Sequence, residues 1–321
     1  MNDFFLGSTV AITGGTGSLG SALSRYLVEN TGLERLVIIS RRWQDQKKLQ
    51  RELNNDSRLR FFIGNVRDRD RMEKALNGVN YLFAASAFKD VPWGQYNPEE
   101  MVKTNIIGSM NTFDAAISCG VERVLFISSD KACSPINIYG TTKATAEHLT
   151  TNWNAYGAGK TFFSTVRYGN VLGSSGSVVP LFKKQAKEGK ITLTSYQATR
   201  FWIRMEDAVQ FVVTAMTKMK KGEIFIPKLK SSYVYDLASV IAPDANVEEI
   251  GLRPGEKLHE VMISQEESRL AVDLGWAYAI LPPSYEYDFG NKIYEYRSNG
   301  KEYSSLNAEK YSKEELRKLI E

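Results

Sequence analysis

Short apolar runs recur along the first two-thirds of the chain, separated by amphipathic stretches. Thr9-Val10-Ala11-Ile12, Leu36-Val37-Ile38-Ile39, Arg60-Phe61-Phe62-Ile63, Tyr81-Leu82-Phe83-Ala84 and Val124-Leu125-Phe126-Ile127 each read as a buried strand. Helical patterns lie between them, around 18–30, 44–54, 68–77, 98–118 and 140–157. A sixth strand is predicted over Phe162–Arg167, and a seventh, Ile224–Ile226, after a helix around 206–219. Continuous apolar strands spaced by helices imply an α/β fold: a doubly wound parallel sheet covered on both faces. After Arg167 the texture changes. Gly169–Ser177 is rich in Gly and Ser, and 228–321 is polar and holds most of the late tyrosines. This predicts a main domain of 1–167 plus 199–227, and a smaller interrupted lobe of 168–198 plus 228–321. The tail ends in a predicted helix, Ser312–Ile320, opening Ser-Lys-Glu-Glu, an N-cap with a glutamate three residues on.

Composition narrows the picture. Of 321 residues, 43% are hydrophobic and 24% charged, which excludes disorder, collagen and a coiled-coil rod. The 41 basic and 37 acidic residues leave a net charge of only +4 without a long basic run, so nucleic acid is not an expected partner. Cys119 and Cys133 cannot build a disulfide scaffold, and His148 and His259 lie far apart, so no metal site is expected. No apolar run reaches the roughly 18 residues of a membrane span. The first residues read straight into a fold without a signal-peptide pattern. No membrane association and a cytoplasmic location are expected.

The first strand runs into Thr13-Gly14-Gly15-Thr16-Gly17-Ser18-Leu19-Gly20, a G-x-x-G-x-x-G pattern. Gly14 allows the tight turn, Gly17 the approach of a pyrophosphate, and Gly20 close helix–strand packing. Thr16, Ser18 and Leu19 complete the cradle at the helix N-terminus. A strand before, a helix after and an α/β series behind give the pattern its Rossmann-type context. About 20 residues on, an acid would bind a ribose 2′-hydroxyl. Here the second strand ends in Ser40-Arg41-Arg42, whose guanidinium groups suit a 2′-phosphate, so NADP is the expected cofactor. The alternative is that these arginines are merely solvated. Asn65 and Val66, after the third strand, are placed at the adenine edge, and Ala84 and Ala85, ending the fourth, beside the same cofactor.

Tyr139-Gly140-Thr141-Thr142-Lys143 is a Tyr-x-x-x-Lys, whose ends lie one turn apart on one helix face. The Lys143 ammonium is expected to lower the Tyr139 pKa and to hold the cofactor ribose. Ser129 and the adjacent pair Asp130-Lys131 follow the fifth strand. Together these residues resemble an extended short-chain dehydrogenase/reductase. In that family a helix asparagine completes the quartet, matched here by Asn105, which could equally be a packing amide.

Sugar epimerases of this superfamily carry small neutral residues after the first serine, whereas 4,6-dehydratases carry an acid and a second ionisable residue. Oxidation at C4 of a hexose acidifies the C5 proton and places the C6 hydroxyl β to a ketone. Elimination then needs a base at C5 and an acid at C6. Lys131 is assigned as the base and Asp130 as the acid. This requires a neutral lysine and a protonated aspartate, or one proton shared between them; burial is expected to favour that state. A structural ion pair is the alternative.

The stretch 130–143 resembles the soluble, C5-inverting UDP-N-acetylglucosamine 4,6-dehydratases. So do 87–92, 96–98, 103–108, 167–174, 176–180, 199–202 and 252–260. Long membrane-anchored relatives carry methionine where Tyr139 stands. The chain departs from the family at Asn65, usually Asp, and at Ser175, often Arg, and the likeness is weak beyond about 265. The resemblance implies an NADP-dependent enzyme acting on UDP-N-acetylglucosamine or a close UDP-sugar, and a homo-oligomer. It also implies Arg200, Arg253 and Asn170 at the diphosphate, Val178 and Val179 beside the uracil, and Lys89 near the sugar. Glu256 either joins them or buttresses Arg253. A UDP-sugar 4-epimerase or reductase, or a non-catalytic NADP-binding regulator, is the alternative. Cys133 is expected to be a packing thiol, and the aromatics of 276–303 to serve packing or subunit contacts.

Overall fold

The structure is a computed structural model, and it describes residues 4–173, 177–282 and 301–320. The first half alternates strand and helix: β1 (Thr9–Thr13), α1 (Ser18–Asn30), β2 (Arg35–Ser40), α2 (Trp43–Glu52), β3 (Leu59–Ile63), α3 (Arg69–Leu76) and β4 (Tyr81–Ala84). Short helices α4 (Val91–Tyr96) and α5 (Pro98–Val102) lead through a π-helical turn, Lys103–Ile107, into α6 (Gly108–Ser118). Then come β5 (Arg123–Ile127), α7 (Ile138–Trp153), β6 (Phe162–Val166), β7 (Asn170–Val171), α8 (Val178–Ala186), β8 (Lys190–Leu193), β9 (Thr199–Ile203), α9 (Met205–Lys218) and β10 (Ile224–Ile226). The remainder holds β11 (Ser231–Tyr233), α10 (Val234–Ile241), β12 (Asn246–Glu249), β13 (Val261–Ile263), β14 (Ala271–Asp273), β15 (Tyr278–Ile280), β16 (Tyr303–Ser304) and α11 (Lys313–Ile320).

The main sheet has nine strands in the order β14-β15-β10-β6-β5-β4-β1-β2-β3. All seven strands read from the apolar runs lie in it and run parallel. The pleat sends alternate residues to opposite faces. Val10, Ile12, Leu36, Ile38, Phe83 and Leu125 enter one core cluster. Ala11, Val37, Ile39, Leu82, Val124 and Phe126 enter another on the other face. The chain order reverses between β1 and β4, which opens a crevice at the strand ends, where α/β sheets bind ligands.

The smaller lobe differs in part from the expected one. The segment 271–280, expected there, instead adds antiparallel β15 and β14 to the main sheet beside β10. Conversely β9, expected in the main domain, pairs with β7 and β11 in a separate three-stranded sheet. Strands of three residues carry no readable period, so the place of β14 and β15 was hidden in the sequence. The late aromatics that are described pack inward: Trp276 against Phe211 and Phe225, and Tyr303 against Phe201 and Tyr278. Those between 283 and 300 lie outside the described residues, as do Ser174, Ser175 and Gly176. At the tail, Ser312 and Glu315 exchange backbone and side-chain hydrogen bonds, the expected capping box, and Leu316 anchors α11 in the lobe core. Among the described residues no helix is long and apolar enough to cross a membrane.

Candidate active site

The glycine loop sits at the crevice. Gly14 has φ +67°, a left-handed conformation that favours glycine, and a Cβ there would lie 2.9 Å from Ala85 O, across the β1–β4 gap. At Gly20 a Cβ would lie 2.5 Å from Gly14 O, so the absent side chain lets α1 close on the loop. Gly17 differs: a Cβ there would meet only Gly14 O, at 3.2 Å. It is exposed and caps α1 without a side-chain hydrogen bond, so a ligand can reach the helix N-terminus. Thr16, Ser18 and Leu19 are half-buried around it. At the end of β2, Ser40 is buried, and Arg42 is held bidentately by Asp45 at 2.6 and 2.8 Å. Arg41 is exposed and makes no ion pair among the described residues. Asn65 Oδ1 accepts from Arg67 N at 3.2 Å, a local turn, and Val66 packs against Gly108. Ala84 is buried and Ala85 half-buried at the β4 end.

The second half of the site is built where β5 ends. Ser129 begins a 3₁₀ turn, Asp130–Ala132, by accepting from Lys131 N with its Oγ at 3.3 Å. The same hydroxyl donates to Asp130 Oδ1 at 2.8 Å. The Lys131 ammonium donates to Asp130 Oδ1 at 3.0 Å and to Asn170 Oδ1 at 3.3 Å. Asp130 is fully buried, and its Oδ2 finds no partner among the described residues. Helix α7 then starts at an N-cap: Asn137 Oδ1 accepts from Gly140 N at 2.8 Å, and Asn137 Nδ2 reaches Gly255 O at 2.8 Å. Gly140 lets α7 press on the turn, since a Cβ there would fall 2.2 Å from Lys131 O.

Two electrostatic expectations need correction. Burial raises the Tyr139 pKa, while the Lys131 charge and a Ser129 hydrogen bond pull it back. The cation acting on Tyr139 is therefore Lys131 rather than Lys143, and the charges of Asp130 and Glu147 oppose it. Lys143 donates to Ile127 O at 2.5 Å and lies 3.8 Å from the centre of the Phe126 ring. Burial lowers its pKa to about 7, against the pull of Glu147. Nor does burial leave Lys131 neutral. Desolvation lowers its pKa, but Asp130 and Glu260 outweigh it and raise the net value. The lysine is held as an ammonium because Asp130 and Glu260 both face it.

Asn105 lies in the π-helical turn, where its Oδ1 accepts from Phe88 N at 2.8 Å. Its Nδ2 donates to Phe88 O and Thr142 Oγ1, both at 3.0 Å. The amide thus ties the loop after β4 to α7. Lys89, next in the chain to Asn105's partner Phe88, is exposed. The Arg200 guanidinium is buried and donates to Thr199 O, Leu258 O and Glu256 Oε1 at 2.8, 3.0 and 2.9 Å. Glu256 Oε2 also accepts from Arg253 Nε at 3.1 Å, so it buttresses both arginines, and Arg253 is the exposed one. Val179 is buried with Trp202, Leu237 and Leu316, and half-buried Val178 packs beside it. Cys133 is buried and donates to Glu267 Oε2 at 3.2 Å.

Glu260 was missed as a site residue. It is 3% exposed, and its Oε1 lies 3.5 Å from Lys131 Nζ. The signal was a lone acid set directly before the apolar run Val261-Met262-Ile263.

A family model described as polysaccharide biosynthesis protein matches residues 10–282. The chain belongs to that family. Within the polysaccharide biosynthesis proteins, the chain is 43% identical over 281 residues to a UDP-N-acetylglucosamine 4,6-dehydratase (inverting) of Campylobacter jejuni, covering 87% of this chain and 84% of the relative. This agrees with the resemblance read in the sequence. A UDP-glucose 4-epimerase of Rickettsia typhi is 36% identical over 328 residues, covering 98% and 96%. Among solved structures, that of Pen from Bacillus thuringiensis superposes with a TM-score of 0.90 at 38% identity, covering 99% and 98%.

Proposed function

We propose that the protein is an NADP-dependent UDP-N-acetylglucosamine 4,6-dehydratase that inverts C5. The observation that carries this is the Asp130–Lys131 pair, 3.0 Å apart, with Asp130 buried and Lys131 half-buried, beside Ser129 and close to Tyr139 on α7. The similarity to the Campylobacter dehydratase supports it.

The open face of Gly17, the start of α1 without a side-chain cap, and Arg41, exposed and without an ion pair among the described residues, fit a dinucleotide with a 2′-phosphate. The residues that would hold it are Gly14–Gly20, Arg41, Asn65, Ala84, Ala85 and Lys143. When bound, such a cofactor accepts hydride from C4 of the sugar and returns it at C6.

Tyr139 takes the proton of the C4 hydroxyl, with Lys131 as the cation that favours its phenolate. A single proton shift from Lys131 Nζ to Asp130 Oδ1, along the 3.0 Å hydrogen bond, makes an amine and a carboxylic acid together. The amine then breaks the C5–H bond and keeps the proton. The acid protonates the C6 hydroxyl, which leaves as water. The pair is returned to ammonium and carboxylate, so protons balance over the elimination. C5 then takes a proton from solvent on the opposite face while Tyr139 releases the C4 hydroxyl proton to solvent, which gives the 4-keto-6-deoxy-L-arabino sugar. Arg253 is the exposed cation for the diphosphate, with Glu256 and Arg200 behind it. Self-association into a homo-oligomer belongs to the same reading; exposed Trp93 and Tyr96 on α4 support it, and a monomer mass by light scattering would remove it.

Incubation with UDP-N-acetylglucosamine and mass spectrometry test the reaction class. The expected product is lighter by one water. The epimerase-named relatives favour a second reading, 4-epimerisation, which predicts an unchanged mass. A product two hydrogens heavier would mark a reductase.

A further inference from the structure

We infer that Glu260 is a positioning residue for Lys131, and that the C-terminal segment around Ser305 completes the active centre by holding Glu260 in place. The inference rests on the dehydratase reading of the Asp130–Lys131 pair. An ammonium has three N–H donors on a flexible stem, so one neighbour cannot fix it. Asp130 Oδ1 and Asn170 Oδ1 take two directions, at 3.0 and 3.3 Å. Glu260 Oε1 lies 3.5 Å from the same nitrogen, from a different part of the chain.

Glu260 itself is held by charge. Its Oε1 is 3.9 Å from Arg200 Nε, and its Oε2 is 3.8 Å from Lys257 Nζ and has no hydrogen-bond partner among the described residues. A buried carboxylate in that condition is expensive unless its backbone is fixed where the cations converge. Ser305 does this. Glu260 N donates to Ser305 Oγ at 2.9 Å, and Ser305 N donates to Glu260 O at 2.7 Å. Ser305 is fully buried; its Oγ also lies 2.7 Å from Thr199 Oγ1, and its carbonyl accepts from Ser231 Oγ at 2.7 Å. Antiparallel pairing of β16 with β13 brings the segment there.

The charged and titratable groups facing Lys131 are Asp130 on its own turn, Glu260 before β13, Arg200 on β9 and Tyr139 on α7. Asp130 and Glu260 favour the ammonium and Arg200 opposes it. Loss of the Glu260 charge therefore lets Lys131 become neutral at lower pH. Because the amine formed when Lys131 passes its proton to Asp130 is the base, C5 exchange should also become faster at neutral pH.

The test uses the full chain with carbon-13 at the lysine side chains. The Lys131 signal, assigned by Lys131→Arg, is titrated by NMR, and C5 deuterium exchange of UDP-N-acetylglucosamine is followed against pH. In Glu260→Gln the Lys131 midpoint should move toward acid by about one to three pH units, the usual effect of one close opposite charge, and C5 exchange at neutral pH should quicken. Glu260→Asp, which keeps the charge but draws it back, should change both less. Ser305→Ala should change both in the same direction. If Glu260→Gln does not fold, the other two variants carry the test. A Lys131 midpoint that stays in place in the folded variants overturns the inference. If the NMR midpoint moves but wild-type protein exchanges no C5 proton, the positioning role stands and the dehydratase reading fails.

Discussion

Two adjacent arginines follow β2, and they differ in their surroundings. Arg42 is clamped by Asp45, whereas Arg41 is exposed and unpaired among the described residues. Arg41→Ala should therefore weaken NADP far more than NAD. One charge-assisted contact is worth roughly 1.5–3 kcal/mol, or about 10–150-fold in affinity. Arg42→Ala should change the ratio less. Calorimetry with both dinucleotides checks this, and equal loss for both in Arg41→Ala would remove the 2′-phosphate assignment. The sequence could nominate both arginines but could not choose, because the choice lies in the reach of Asp45. Likewise it nominated Lys131 yet misjudged its resting charge. Glu260, 129 positions away by numbering from 131 to 260, meets it only in the fold.

At the scale of elements, the strands of the main sheet were legible because burial on both faces leaves unbroken apolar runs. The π-helical turn at Lys103–Ile107 was not, since the pattern over 98–118 is helical throughout and the reason for the turn is distant. There Asn105 bonds the Phe88 backbone and Thr142. The packing of α7 on the Asp130–Ala132 turn rests on Gly140. Gly140→Ala would place a methyl 2.2 Å from Lys131 O, and backbone cannot rotate aside as a side chain can. The expected cost is about 1–3 kcal/mol of stability, read by denaturant titration. Turnover should fall further than stability explains, because the displaced turn carries Asp130 and Lys131. An alanine variant with wild-type stability and rate would show that the contact is not a constraint.

Over the whole molecule, a network centred on buried Arg167 also joins the main domain to the later chain. Arg167, after β6, takes Glu147 of α7 on one side and Glu267 on the other, and donates to Met262 O of β13. This network was unreadable in the sequence, where its members are 20 and 100 residues apart. Burial alone would raise the Glu267 pKa, but Arg167 outweighs it and lowers the value from 4.5 to about 2. A depressed carboxylate contributes stability that is present above its unfolded pKa and lost as pH falls toward its folded one. The loss should therefore run from about pH 4.5 down to about 2. Glu267→Gln should be less stable than wild type at neutral pH, and the two should converge at the acid end. Thermal melts across that range check it, and a gap that persists at the lowest pH would assign the stability to packing instead.

The dehydratase account makes its sharpest statement about where one hydrogen goes. UDP-N-acetylglucosamine carrying deuterium at C4 is incubated with the protein and NADP, and the product is examined by NMR and mass spectrometry. The account predicts loss of one water and the deuterium at C6 of the same molecule. A product of unchanged mass with deuterium still at C4 would contradict it.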